Sequence, residues 1–481
     1  MGKLRNKYNQ LSPTVKASFW FVVCNAILKA TQILTTPIYS RIMSTEQFGE
    51  YKVFLSWVEV AAILTTLDIF YSGYNVGMEK FRKDRKTYTS AMHGLCFALT
   101  TLWVILLIPF ASYLGPLLRI SPMQFRMLLL YMYVFPIFQF WSARKKYDYQ
   151  YKPLILVTAI SSICTVLLGT LAALCLDEKS DGAILAKIVV EGIVALPLLL
   201  VSIKGIKSLY HKFYWKYALK FNIPLVPHYL STMILNHSDI IMIDFLCGKT
   251  DAAIYSVAYS IAMLVTIIQN AVSSAIVPWM YRKLREKDLT DITKVTSGVI
   301  GSMAILNIAL LLVAPEAVRL MGAAEYADAV YVIPPITFGV FLTAIYGQFV
   351  NVEFFYHYNK FAATASLIAA SSNIVLNYVC ISQFGYMAAG YTTFASYLLL
   401  AIIHFFGLKN ISARNGHSYK DIIDPKVILA IVFGFAIVTI SIFFTYGFVW
   451  MRMGLIALII VLLIISRKKI MKFAERFLRK Y

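Results

Sequence analysis

The sequence predicts an all-α integral membrane protein. About 14 transmembrane helices form two pseudo-symmetric six-helix bundles, followed by two C-terminal helices. Three observations predict this. The 481 residues are 59% hydrophobic and only 14% charged, with a mean hydropathy of +0.69, whereas a soluble domain carries about 25% charged residues. Apolar blocks of roughly 20 residues recur along the whole chain, each long enough to cross a hydrocarbon core of about 30 Å. A short turn ahead of the second block also returns, in similar form, ahead of the eighth.

The elements follow in order. Residues 1–16 are basic, and the apolar run behind them is too long for a signal h-region and lacks a small-residue cleavage site. The first block is therefore expected to stay as a permanent helix. Asn6 stands where a myristoylation signal needs Ser or Thr. Spans are expected near 17–39, 51–76, 89–115, 123–143, 154–176, 183–203, 219–246, 253–280, 295–315, 328–352, 361–382, 387–408, 427–447 and 451–466. The net charge of +21 falls in alternate loops, at Lys80 to Lys86, Arg144 to Lys146, Lys204 to Lys220 and Arg282 to Lys294, and in the tail from Arg467. By the positive-inside rule these loops and both termini are cytoplasmic. Charge spread over membrane loops, rather than gathered in one patch, excludes nucleic acid as the partner. The cysteines (Cys24, Cys96, Cys164, Cys175, Cys247, Cys380) are scattered without a CxxC pair, so neither a disulfide frame nor a metal site is expected, and no cofactor.

The repeat is carried by Thr45-Glu46-Gln47-Phe48-Gly49-Glu50-Tyr51 and Lys249-Thr250-Asp251-Ala252-Ala253-Ile254-Tyr255. Each is a short turn whose Tyr opens the next helix. It divides the chain into bundles at 1–215 and 216–410, with 411–481 supplying two further helices and a basic tail. Repeats packed face to face put a substrate site at their interface near the bilayer midplane.

Polar residues within the spans mark that site. Asn25, Lys29, Gln32 and Thr36 fall within an arc of about 60° on span 1. His228, Tyr229, Thr232, Asn236 and Asp239 share an arc of about 100° on span 7, from which His237 points away. Lys52, Ser56, Glu59 and Thr66 share a side of span 2, and Ser366, Asn373 and Asn377 a side of span 11. Lipid cannot satisfy such groups, so the stripes are expected to face one another or water, although Ser and Asn also serve plain helix packing. Lys29 lies mid-span, where a charge costs about 2.5–3.5 kcal/mol or more. Counted from the turn, Glu59 is within about two residues, or roughly 3 Å, of its depth, so the two form an expected pair. Glu59, Asp239 and His228 are the candidates for ion coupling, and Arg41 stands at the outer mouth. Pro136, Pro224, Pro227, Pro278 and Pro334-Pro335 mark helices built to bend.

With Thr36-Pro37-Ile38-Tyr39-Ser40-Arg41 and Glu46-Gln47-Phe48-Gly49-Glu50-Tyr51 the chain resembles the bacterial polysaccharide transporters, the O-antigen flippases of the multidrug/oligosaccharidyl-lipid/polysaccharide exporter superfamily. Ile223-Pro224-Leu225-Val226-Pro227 with Asp239, Ala323-Ala324-Glu325-Tyr326-Ala327-Asp328-Ala329 and Phe384-Gly385-Tyr386-Met387-Ala388-Ala389-Gly390 extend the resemblance over nearly the whole chain. It implies two bundles that alternate between inward- and outward-facing states. The implied substrate is an undecaprenyl-diphosphate-linked oligosaccharide, moved across the bacterial inner membrane. Implied partners are that lipid-linked oligosaccharide, membrane lipids, and the glycan polymerase and chain-length proteins of the same pathway. Only the Asp239 position transfers residue by residue. The chemistry agrees: hydroxyls suit Asn, Gln, Thr, Tyr and His, and a diphosphate suits Lys29. The rival readings are a multidrug/cation antiporter of the same superfamily, whose pocket would be acidic and aromatic, and a membrane-embedded glycan polymerase or acyltransferase. The latter lacks a large outer loop or a His/Asp cluster here, so the expectation is a transporter and not an enzyme.

Overall fold

The computed structural model describes residues 13–204 and 208–457, and all regular structure among them is helical. The first half contains α1 (Pro13–Ile42), α2 (Thr45–Thr66), α3 (Ser72–Lys80), α4 (Arg85–Leu107), α5 (Ala111–Leu117), α6 (Pro122–Tyr147), α7 (Tyr151–Cys175), α8 (Lys179–Ile203) and α9 (Lys212–Asn222). The second contains α10 (Val226–Leu246), α11 (Lys249–Ala262), α12 (Leu264–Glu286), α13 (Ile292–Leu312), α14 (Ala314–Met321), α15 (Ala329–Phe355), α16 (Asn359–Phe384), α17 (Ala388–Arg414) and α18 (Pro425–Phe444). A further helix runs from 449 to 457. The rest of the expected last span, and the tail from Arg467, lie outside the described residues.

Nine helical stretches among the described residues are long and apolar enough to cross a membrane. The long helices α1, α2, α6 and α10 fall outside that group. They carry the polar residues and, as shown below, face a cavity, where lipid imposes no apolar requirement.

Local chemistry sets the helix ends. Ser44 caps α2: its hydroxyl accepts from the Gln47 amide at 3.2 Å, and its own amide reaches back to Gln47 Oε1. Ser121 and Gln124 cap α6 in the same way, with Pro122 in the first turn. Four expected spans prove to be broken, span 3 among them at Ile108–Phe110 between α4 and α5. Span 2 stops at Leu67 and Asp68, whose φ values of 53° and 46° are left-handed, and resumes as α3. Thr65 and Thr66 just before the break bond the carbonyls of Ala61 and Ala62, a back-bonding that bends helices. Span 7 divides at Ile223-Pro224-Leu225 into α9 and α10, because Pro224 and Pro227 remove two amide donors. Span 8 divides at Met263.

Within the first half, α1 packs on α7, α7 on α8, and α6 on α2, α4 and α8. The amphipathic α9 packs on α3 and α4. Trp215 donates to the Ala91 carbonyl at 2.9 Å, Tyr214 to Asp84 at 2.7 Å, and Asn222 fills the space left by Gly73. A hydrogen bond from Thr87, together with that from Tyr214, holds the Asp84 carboxyl below the usual range. In the second half, α15 and α16 pack on α17, α10 on α16, and α11 on α15, while α18 covers α13. Arg452 is fully buried and pairs with Glu316, which fastens the last described helix to α14.

The halves meet chiefly where α2 crosses α10 and α11. Consecutive helices put the basic loops at one end of the molecule and the short turns at 43–44, 118–121, 176–178 and 247–248 at the opposite end. At the opposite end the seam is closed. A Cβ on Gly49 would stand 2.0 Å from the Lys249 carbonyl oxygen, so only glycine permits this approach. Glu50 pairs with Lys249 at 3.0 Å and Arg119 with the buried Asp244 at 3.4 Å. Arg41 donates to the carbonyls of Arg319 and Leu320, both at 2.9 Å, and Ser40 to that of Met321. The two turns that repeat in sequence thus touch across the seam.

Gly49→Leu forces these backbones apart, at a cost typical of overpacking, about 1–3 kcal/mol. Tyr326 is fully buried beneath the closure, against Phe48. A cysteine at 326 is therefore expected to react with water-soluble thiol reagents about tenfold faster in the Gly49→Leu protein. An unchanged rate would remove the closure from this contact.

Candidate functional site

A cavity of about 340 Å³ lies in the seam between the halves. The first half contributes Thr31 and Thr35 of α1, Lys52, Ser56 and Glu59 of α2, Tyr131 and Gln139 of α6, Ser162 and Thr165 of α7, and Lys187 and Glu191 of α8. The second half contributes His237 and Ile240 of α10 and Ser256, Tyr259 and Ser260 of α11. Tyr71 and Gln139 also line a neighbouring cavity of about 530 Å³ that reaches Lys146 and Tyr147 at the basic end. Hollow space therefore continues from the seam through the first half toward the basic end, while the seam is shut at the other.

The charges in this cavity are unevenly paired. Lys187 is bonded to Glu191, one turn on, and Tyr131 donates to the same carboxylate. Lys52 is half-buried and donates to Thr36 Oγ1 at 3.2 Å, with its ammonium 5.1 Å from the Phe48 ring centre. Among the described residues it has no carboxylate within ion-pair distance. A partly desolvated cation held only by a hydroxyl and a ring face is costly to keep. It is also well suited to an incoming anion.

A second cavity, of about 370 Å³, lies within the second half. Its walls include His228, Thr232 and Asn236 of α10, Gln269 and Asn270 of α12, Thr343 and Tyr346 of α15, Ser366 of α16, and Tyr397 and His404 of α17. These are amides, hydroxyls and aromatic rings, without Lys, Arg or Asp.

Between the cavities, Asp239 is 2% exposed and ties four helices together. It accepts from Tyr255 at 2.5 Å, Thr393 at 2.6 Å and Asn377 at 2.7 Å. Asn373 accepts from Ser238 at 3.0 Å and from Asn377 at 3.2 Å, and Thr392 donates to Asn377 Oδ1. Every polar atom of this knot finds its partner inside the protein.

The geometry redistributes the residues expected from sequence. Glu59 lines the seam cavity, and His228 and Asn236 line the second one. Tyr229 sits against Tyr71, with ring centres 6.3 Å apart. Arg41 stands at the closed end. Asp239, Asn373 and Asn377 line none of the three cavities described: their side chains satisfy one another where α10, α11, α16 and α17 meet. Asn25 is exposed on α1 and lines neither cavity. His237, read as pointing away from the polar stripe, faces the seam cavity, as does Ile240. The side chains of Lys29 and Gln32 lie outside the described residues, and the Lys29–Glu59 pairing with them.

Two pairs of charged or titratable groups at or beside the cavities escaped the sequence reading. Lys187 and Glu191 stand one turn apart inside an otherwise apolar span, and that spacing alone was a signal. Glu353 and His404 are a buried pair, 2.9 Å apart, on α15 and α17. Glu353 falls one residue beyond the expected end of its span.

Comparison with known proteins agrees with this architecture. The structure is similar to that of the lipid II flippase MurJ in an inward closed conformation, with a TM-score of 0.70 at 14% identity over 94% of this chain and 99% of that one. It is also similar to the inward-facing conformation of a multidrug resistance MATE family transporter of the MOP superfamily. There the TM-score is 0.66 at 13% identity, over 80% of this chain and 95% of the other. These likenesses establish the membrane transporter fold. In sequence, the chain is 27% identical over 157 residues to Lsg locus protein 1 of Haemophilus influenzae, a match spanning 32% of this chain and 39% of that relative. Residues 14–284, more than half of the chain, match the model of the polysaccharide biosynthesis protein family, and the chain is a multi-pass membrane protein belonging to that family.

Proposed function

We infer that this protein is a flippase that moves an undecaprenyl-diphosphate-linked oligosaccharide, a unit of O-antigen, capsule or a related surface glycan, across the bacterial inner membrane by alternating access. The observation that carries the reading is the seam cavity. It is closed at one end, it continues toward the basic end, and it holds Lys52 among hydroxyls with no carboxylate in ion-pair distance among the described residues. A diphosphate supplies the missing anion, and the hydroxyl- and amide-lined walls of both cavities match the donors and acceptors of a sugar. A multidrug/cation antiporter would favour an acidic pocket, and Lys52 opposes it. In this reading the basic end is cytoplasmic, with both termini, and the cavity is open to the cytoplasm.

The moving bodies are residues 1–215 and 216–410, with 411–481 appended. The packing of α9 on the first half argues for a hinge at Ile223-Pro224-Leu225, slightly beyond the repeat boundary. Lys29 and Gln32 of α1 join Lys52 in holding the substrate. Glu59 and His228 line cavities and suit a coupling ion, and Asp239 offers a buried carboxylate for the same task if its donors rearrange between states. The polymerase and chain-length proteins of the same glycan pathway are the expected partners.

Deleting the gene should strip the surface of one glycan and leave its lipid-linked precursor at the cytoplasmic leaflet, inaccessible to periplasmic glycosidases. Precursor found at the periplasmic leaflet of the deletion strain would assign the protein a later step.

A further inference from the structure

The second cavity holds a further feature, a buried carboxylate–imidazole pair at its wall. Glu353 of α15 is fully buried and His404 of α17 is 2% exposed, and Nδ1 of His404 lies 2.9 Å from both carboxylate oxygens. No other hydrogen bond to the Glu353 carboxylate is formed among the described residues. Gly407, the next turn of α17, leaves the room the carboxylate needs, since a Cβ there would stand 2.8 Å from Glu353 Oε1. Tyr346 stacks on the imidazole at 5.6 Å and Phe361 meets its edge at 6.1 Å. With Nδ1–H held on the carboxylate, the ring offers Nε2 as its remaining proton acceptor. His404 lines the cavity, and Nε2 has no protein partner among the described residues.

We propose that Glu353 and His404 form a proton-binding site that couples proton movement to the change of access. The proposal rests on the transporter reading above and adds the coupling ion. A proton arriving from the cavity at Nε2 turns a carboxylate with a neutral imidazole into a carboxylate–imidazolium pair, and its release reverses the change. The protonated pair is neutral overall and tolerates a dry, closed surrounding. Loss of the proton leaves a net negative charge buried, which is unfavourable unless water reaches it. Here the second cavity reaches the imidazole, so deprotonation favours this state over one in which that cavity has closed. Protonation lets that cavity close and the opposite end open.

The neighbours leave this charge change to the pair. From α15 the other titratable group facing the ring is Tyr346, and from α16 Phe361 faces it without titrating. His228 of α10 shares the cavity, as does Tyr397 of α17 itself. Tyr419, in the turn that follows α17, packs on Phe405 instead.

The test needs no substrate. Spin labels at Glu46→Cys and Glu325→Cys, both exposed at the closed end, report its opening in the full-length protein with the six native cysteines replaced. In liposomes titrated from about pH 8.5 to about 5.5, the long-distance population is expected to rise, by up to about tenfold per pH unit, the limit for one linked proton. Glu353→Gln preserves shape and hydrogen bonding but cannot bear the charge. It should show a large open fraction that no longer follows pH, and His404→Gln should also lose the pH response. A wild-type population independent of pH, or a Glu353→Gln protein that keeps the wild-type slope, overturns the proposal. A structural brace alone predicts lower protein abundance with an unchanged slope, which also overturns it. If the slope behaves as expected while the deletion strain displays normal glycan, the coupling site stands and the flippase reading fails.

Discussion

Lys52→Ala is expected to abolish surface glycan display, by tenfold or more, while the protein stays inserted at normal abundance. The ammonium is the cation of the seam cavity that lacks a carboxylate among the described residues. A hydrogen bond between charged groups contributes about 1.5–3 kcal/mol, which is tenfold or more in a rate or an affinity. Lys52→Arg keeps the charge and should retain part of the activity, although guanidinium and ammonium place their donors differently. Lys187→Ala should behave otherwise. Its charge is already neutralised by Glu191, so its removal strands that carboxylate and lowers abundance first. Glycan display measured beside protein abundance separates the two. Normal display from Lys52→Ala at normal abundance would leave the cavity without its anion-binding role.

Asp239→Ala should lower the stability of the second half by about 3 kcal/mol or more. Three donors, from Tyr255, Thr393 and Asn377, converge on this carboxylate. Each buried group left without a partner costs about 1–3 kcal/mol. A single interhelical hydrogen bond in a membrane contributes only about 0.6 kcal/mol on average, so the expected loss marks the convergence. Asp239→Asn keeps an acceptor for Asn377 and leaves hydroxyls that can rotate, so its loss should be smaller. The measurement is the midpoint of thermal unfolding in detergent. Equal midpoints for wild type and Asp239→Ala would mean that the knot does not brace α10, α11, α16 and α17.

The fold was legible because lipid leaves the backbone few choices. Blocks of apolar residues became helices at nearly the expected places, and alternating basic loops ordered their ends. The breaks were harder to read. Pro224 and Pro227 announced the division of span 7, but the left-handed Leu67 and Asp68 that end α2 carry no glycine or proline to mark them. The site was legible as a set of polar stripes and illegible as a geometry. Asn236 and Asp239 share a helix face to within one turn, yet the first meets a cavity and the second a neighbour helix. That difference depends on where α16 and α17 sit, which helical periodicity does not encode. Lys52 was visible as part of a stripe but stood in the shadow of Lys29. Glu353 and His404 are 51 residues apart, and only the crossing of α15 and α17 makes them a pair.

The account rests on a lipid-linked oligosaccharide crossing the bilayer through the seam. Purified protein in liposomes, supplied with an undecaprenyl-diphosphate oligosaccharide bearing a fluorescent sugar in both leaflets, tests this directly. A membrane-impermeant quencher added outside reaches only the outer half at once. With wild-type protein the quenched fraction should then pass well beyond one half as inner-leaflet lipid arrives, and with Lys52→Ala it should stay near one half, as in protein-free liposomes. A quenched fraction that stays near one half with the wild-type protein, at every pH and ion gradient imposed, would contradict the account.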